Sequence, residues 1–179
     1  MEKQPWITFF SQTGAEICDI AEAVGRWPDR IITNTRPEHL RVIDSRIPKK
    51  LLFYVRNKPT PEEYLWHLTK FESKPIVTLH GWLRVAPPDV CETFQIYNGH
   101  PGLITKYPEL KGKDPQIKAY KAGHDTIGVV LHKVTAGVDE GPIESWSEIS
   151  VNDLSIDETF TVLRDMSLRM WTEFLKRIV

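Results

Sequence analysis

The sequence predicts an α/β fold, a single domain with a mostly parallel sheet of six or seven strands flanked by helices. Three observations lead there. Short β-prone runs alternate with amphipathic stretches of helical period. The 179 residues are enough for one sizeable core. No repeat, low-complexity tract or linker divides them, so residues 1–179 read as one domain.

The elements follow in order. Trp6 to Phe10 is a β-prone run, and Ser11 to Gly14 turns the chain. Ala15 to Val24 has Ile17, Ile20, Ala21 and Val24 on one helical face, and Gly25 stops it. Arg30 to Asn34 and Leu51 to Val55 are the second and third strands. Pro61 to Phe71 is a helix with proline in its first turn. Pro75 to Leu79 is the fourth strand. Thr93 to Tyr97 is the fifth and delivers Asn98 just past its end. Asp114 is read as the N-cap of a helix with Pro115 at its first position and Gly123 as its stop. Thr126 to Val134 and Ile143 to Ile149 are the last strands. Asp157 to Ile178 is a long helix with Phe160, Leu163, Ser167, Met170, Trp171, Phe174 and Ile178 along one stripe.

The bulk properties exclude several function classes. The formal net charge is −1 and the basic residues are dispersed, which gives no electrostatic case for a nucleic-acid partner. No apolar run is long enough to span a membrane. The start, Met1 to Pro5, lacks the apolar stretch of a signal peptide. Cys18 and Cys91 have no motif spacing and apolar neighbours, so both read as buried thiols in a reducing compartment. A cytoplasmic location is expected. His100, His124, His132 and Asp139 match no compact zinc spacing, so no metal is expected. The oligomeric state is not legible.

The informative residues are Asn98 and His100 in Tyr97-Asn98-Gly99-His100-Pro101-Gly102, and Asp139 in the glycine-rich turn Thr135 to Pro142. An amide can donate to a developing oxyanion, an imidazole can move a proton, and a carboxylate can orient that imidazole and hold its charge. Together they suit acyl transfer to an amine.

Four segments in this order, Leu79-His80-Gly81-Trp82-Leu83-Arg84-Val85, Tyr97 to Pro101, Gly128 to Val134 and Val138 to Ile143, resemble the folate-dependent formyltransferase family. The pattern is that of its phosphoribosylglycinamide formyltransferase-like catalytic domain. The resemblance covers most of the chain and is strongest over residues 76–143. It implies a Rossmann-like domain with 10-formyltetrahydrofolate as co-substrate and a small-molecule amine as acceptor. It assigns catalysis to Asn98, His100 and Asp139. It places the folate against Trp82, Leu83, Arg84, Val85, Ala86, Ile96, Val134, Gly137 and Val138, and the acceptor against Gly14, Ala15, Glu16, Pro101 and Gly102.

The sequence departs from the family on the acceptor side. Where the nucleotide-synthesis enzymes carry Gly-Ser-Asn for a substrate phosphate, Gly14-Ala15-Glu16 stands here. A carboxylate at that place repels a phosphate, although a helix N-terminus still offers amides. The family's Gln-x-x-Glu on the terminal helix is matched by Arg164-Asp165-Met166-Ser167. Same donor, different acceptor is the expectation: an amino sugar, an amino acid derivative or a nucleotide. The alternatives are a 10-formyltetrahydrofolate hydrolase (deformylase) and a folate-binding protein without turnover.

Overall fold

The computed structural model describes residues 3–179, with the side chains of Leu40 and Arg41 outside that description. Met1 and Glu2, the start of the segment read for a signal peptide, lie outside the described residues. Seven strands form one sheet: β1 (Trp6–Phe10), β2 (Arg30–Thr33), β3 (Leu52–Tyr54), β4 (Ile76–His80), β5 (Gln95–His100), β6 (Thr126–Lys133) and β7 (Ile143–Ser150). Their order is β3-β2-β1-β4-β5-β6-β7. Strands β3 to β5 run parallel, while β6 and β7 close the sheet as antiparallel neighbours.

Five helices flank the sheet: α1 (Ala15–Val24), α2 (Pro61–Leu68), α3 (Pro88–Thr93), α4 (Pro115–Ala122) and α5 (Ile156–Ile178). One face buries Ile7, Phe9, Val77, Leu79 and Ile96 against Tyr64, Leu68 and Val90 of α2 and α3. The other buries Trp6, Ile76, Tyr97, Val129 and Leu131 against Leu163, Met170, Trp171 and Phe174 of α5. The alternation of strand side chains dictates this sorting. Both β1 and β4 are buried at every position, as expected of central parallel strands covered on both faces. Among the described residues no helix is long and apolar enough to cross a membrane. Cys18 and Cys91 are free and buried, and burial pushes the Cys18 thiol up to about 12.

Four expectations are corrected. Asn98 lies inside β5, not beyond it: it pairs with Leu79 of β4 and with His132 of β6. Strand β6 returns antiparallel and offers partners as far as His100, so β5 continues after β4 has ended. Thr93 closes the six-residue α3, a helix too short to show a period in sequence. Asp114 sits at the N-cap of α4 with φ 53 and makes no side-chain cap; its carbonyl accepts from the Lys118 N–H. Helix α2 ends at Leu68 rather than Phe71.

Candidate active site

The site is built from β5, β6 and the loop that joins β6 to β7. Asn98 and His100 are two residues apart on β5, so their side chains leave the same face of the sheet. His132 stands opposite Asn98 in the antiparallel register and joins them. Asp139 comes from the β6–β7 loop, where its backbone takes φ 52, a conformation aspartate tolerates better than most residues.

Asp139 is the hub. Its Oδ2 accepts from the Gly112 N–H at 2.9 Å and lies 3.4 Å from His100 Nδ1. Its Oδ1 lies 3.3 Å from His132 Nε2. The Asn98 amide Nδ2 is 3.4 Å from the same His132 nitrogen. His100 Nε2 is 2.8 Å from the Leu110 carbonyl, and His132 Nδ1 is 3.1 Å from the Lys133 carbonyl. Each imidazole therefore has acceptors on both sides. A ring with one proton can serve only one of them, so each of the two rings leaves one acceptor unserved.

The charges follow from the packing. Burial pushes the His100 pKa down, and the Asp139 charge and the Leu110 carbonyl only partly counter it, so it lies below the ordinary value. Burial pushes Asp139 up, but the bonds from His132 and Gly112 and the nearby His100 outweigh it, so its carboxyl lies below the ordinary range. The packing thus favours a neutral His100 ring beside an ionised Asp139.

The loop after β5 covers this cluster. Leu103, Ile104 and Leu110 pack with Val130 and Ala119, and the Leu110 carbonyl holds the His100 ring. Gly102 is buried, and a side chain there would collide with Pro115 and crowd the His100 ring. Its place is under the loop, where it lets the chain close over His100. Pro101, next to it, is half-buried.

The residues expected around a folate divide into two sets. Trp82, Ala86 and Ile96 are core residues. Trp82 packs edge-on against Phe9 and Tyr64 and donates its indole N–H to the Tyr64 hydroxyl at 3.0 Å. Leu83, Val85 and Val138, in contrast, are exposed apolar side chains on the two segments that flank the cluster. Val134 is half-buried and its N–H bonds the Ile96 carbonyl at 2.7 Å. Gly137 is half-buried in the same loop. Arg84 turns its guanidinium to the carbonyl and side-chain oxygens of Asn57 and to the Leu83 carbonyl.

Of the residues expected at the acceptor, Pro101 and Gly102 lie over the His100 cluster, whereas Gly14, Ala15 and Glu16 lie on the opposite face of the sheet. Gly14 begins α1 with φ 72, Ala15 is half-buried, and Glu16 points to α5. Glu16 Oε1 accepts from the Ser167 hydroxyl at 2.7 Å, and Oε2 from His80 Nδ1 at 3.0 Å. His80 Nε2 is 2.9 Å from the Thr78 hydroxyl, which accepts from the Trp6 indole at 2.9 Å. Burial pushes the Glu16 carboxyl up, but His80, Ser167 and Arg164 more than offset it, so its pKa is lowered. Glu16 is thus an anion held by Ser167 and His80, with about a third of its side chain, 35%, exposed to solvent. Arg164 does not replace the family's glutamine; it pairs with Asp19 of α1 at 2.6 Å.

The sequence alone does not show His80 as a member of a cluster. It groups His132 with His100 and Asp139 only as metal ligands whose spacing does not fit. The strand register that sets it opposite Asn98 is the missing signal. Among the described residues no group of three or more His, Cys, Asp or Glu is arranged to hold a metal ion.

The seven-stranded α/β sheet thus carries an amide and two imidazoles on two adjoining strands, with a carboxylate from the loop that follows β6. The formyl transferase family model matches residues 30–166, and the chain belongs to that family. A methionyl-tRNA formyltransferase of Thermotoga maritima is 34% identical over 83 residues, covering 46% of this chain and 26% of that protein. The chain spans between 26% and 52% of the length of the curated relatives it matches first. A phosphoribosylglycinamide formyltransferase structure from Campylobacter jejuni covers 99% of this chain and 98% of its own, with a TM-score of 0.82 and 18% identity. A formyltetrahydrofolate deformylase structure from Pseudomonas syringae covers 98% of this chain and 61% of its own, with a TM-score of 0.77 and 21% identity. At these identities the two structures share the fold.

Proposed function

We propose that the chain transfers a formyl group from 10-formyltetrahydrofolate to a primary amine, with Asn98, His100 and Asp139 as its catalytic residues and His132 positioning them. The single observation that supports this reading is the convergence of these four side chains on one face of β5 and β6. The exposed Leu83, Val85 and Val138, with the backbone of segments 82–86 and 134–139, supply apolar surface for the pterin next to that cluster.

The bound folate supplies an activated formyl carbon. When an amine attacks that carbon, the carbonyl oxygen gains negative charge and the nitrogen becomes a cation that must lose one of its protons. The Asn98 amide is held only by a long contact to His132, so it is free to donate to the oxygen. The proton leaving nitrogen has a destination in the cluster, because His100 and His132 each have an acceptor left to satisfy. Asp139 stabilises the imidazolium that results, and the bond from the formyl carbon to the folate nitrogen breaks as the cluster passes that proton on to the leaving nitrogen. For His100 Nε2 itself to face substrate, the Leu110 carbonyl must release it.

The acceptor is not glycinamide ribonucleotide in this reading. Like charges about 4 Å apart repel by roughly 4 kcal/mol at an effective dielectric of 20, and Glu16 has no easy escape from Ser167 and His80. Single-turnover release of tetrahydrofolate, measured with and without a library of amines, tests the whole reading. Release that needs an amine supports transfer. Release in water alone makes the chain a deformylase, and binding without release makes it a folate-binding protein. No folate binding at millimolar concentration removes the reading.

A further inference from the structure

The carboxyl ends of β1, β2 and β3 open into a cleft of about 760 Å³, well within the size of small-molecule sites. No residue of the proposed catalytic cluster lines it. Its walls include Ser11, Thr13, Asn34, Arg36, Arg56 and Asn57. Crevices at the carboxyl ends of parallel strands are where open α/β sheets take their ligands.

The cleft is built rather than loose. The Thr35 hydroxyl bonds the Ser11 and Gln12 carbonyls at 2.9 and 3.1 Å, and the Thr33 hydroxyl bonds the Phe10 carbonyl at 2.9 Å. The Asn34 amide bonds the Asn57 carbonyl at 3.0 Å, and the Val55 N–H bonds the Thr33 carbonyl at 2.9 Å. The loops after three strands are thereby laced together. The Arg84 guanidinium leans on the same Asn57 through neutral oxygens.

The charge of the cleft is opposite to that of the first turn of α1. Among the described residues Arg36 meets only Glu38, at 3.8 Å, with both side chains largely in solvent. Arg56 meets Glu63 at 2.8 Å, but Glu63 also caps α2 by accepting the Thr60 N–H at 2.9 Å. Two largely exposed arginines therefore line the cleft, each paired with a single carboxylate. Pairs this exposed contribute little on their own, so an incoming anion competes with weak partners.

We propose that this cleft holds an anionic, phosphate-type end of the acceptor, gripped by Arg36 and Arg56. The proposal rests on the transfer reading above and adds the acceptor's shape to it. Strands β2 and β3 are three and four places from β5 in the sheet. At about 4.8 Å per strand, the anion lies about 14 to 19 Å from Asn98. The acceptor is then elongated, with its amine at one end and its phosphate at the other. The anion site has moved away from α1, where Glu16 forbids it, to the neighbouring strand ends.

The test uses the full chain, with calorimetric titration by inorganic pyrophosphate and by adenosine 5′-diphosphate. Expected is binding tighter than about 1 mM that weakens about tenfold or more in Arg36→Gln and again in Arg56→Gln. Arg56→Lys should retain part of it. Thermal unfolding of each variant controls for folding. No binding at that concentration, or binding that ignores both substitutions, overturns the proposal. A monoglutamyl and a polyglutamyl formylfolate analogue are titrated into the same proteins. If only the polyglutamyl form loses affinity in the variants, the cleft serves the donor's tail and the proposal also falls. Unchanged binding of the monoglutamyl form keeps the folate reading intact in each case. Loss of all folate binding by the unaltered chain would instead remove that reading.

Discussion

Two carboxylate clusters lie on opposite faces of the same sheet, and they differ in one proton. Glu16, His80, Thr78 and Trp6 form a chain in which a single proton on His80 Nδ1 satisfies every neighbour, at 2.7 to 3.0 Å throughout. Asp139, His100 and His132 form a looser group, with carboxylate contacts of 3.3 and 3.4 Å and acceptors left over at the rings. In the proposed reading the complete cluster fixes a charge that selects the acceptor, and the incomplete one receives a proton during transfer. The same residue types differ between the two in how many acceptors surround each ring.

The largest effect tests the incomplete cluster. His100→Ala is expected to lower kcat about 100- to 10,000-fold, the range for a lost acid–base group. Asn98→Ala is expected to cost about 100- to 1000-fold, as for one oxyanion donor. Steady-state rates with a working amine measure both, and near-normal turnover in either variant would remove that residue from the chemistry.

The complete cluster is tested by selectivity. Glu16→Asn combined with Ala15→Ser should improve use of glycinamide ribonucleotide by as much as about a thousandfold, because about 4 kcal/mol of repulsion is removed. If the unaltered chain already uses that substrate above about 10⁴ M⁻¹s⁻¹, the first turn does not select against phosphate.

A third test addresses the seam between the clusters. Trp171 of α5 lies against His80, with ring centroids 4.7 Å apart, and covers Gly99 between Asn98 and His100. A methyl group on Gly99 would stand 2.6 Å from the Trp171 Nε1. Gly99→Ala should therefore destabilise the fold by about 1–3 kcal/mol, read by urea denaturation. An unchanged midpoint would show that α5 yields and that the two faces are not coupled there.

The smallest effect is in the pH dependence of stability. His100 has a lowered folded pKa, so the unfolded chain binds its proton first. Stability then falls as pH drops below about 6.5 and levels off once the folded pKa is passed. His67, pushed down to about 4 by burial and Arg30, adds a limb in the same window. Glu16 and Asp139 have lowered pKa values, so their contributions are present above about 4 and are lost as pH falls through the folded values. Glu16→Gln should flatten only the acid limb, and His100→Asn only part of the limb below 6.5. Chemical denaturation at a series of pH values separates them.

The sequence by itself determined the α/β class, the positions of most strands and the bounds of α1, and it singled out Asn98, His100 and Asp139 as candidates. These were legible because they rest on short-range signals: apolar periodicity, glycine stops, and four motifs in a fixed order. It also showed a carboxylate at Glu16. It did not show α3, which is shorter than two helical turns, or the extension of β5 through His100, which depends on β6 as a distant partner. Only the tertiary structure decided that His132 completes the cluster, that Trp82 belongs to the core, and that Glu16 is locked by His80 and Ser167. The reason is physical. A side chain's type is written locally, but its protonation and reach depend on acceptors brought from up to 151 residues away by the closing of the sheet and the packing of α5.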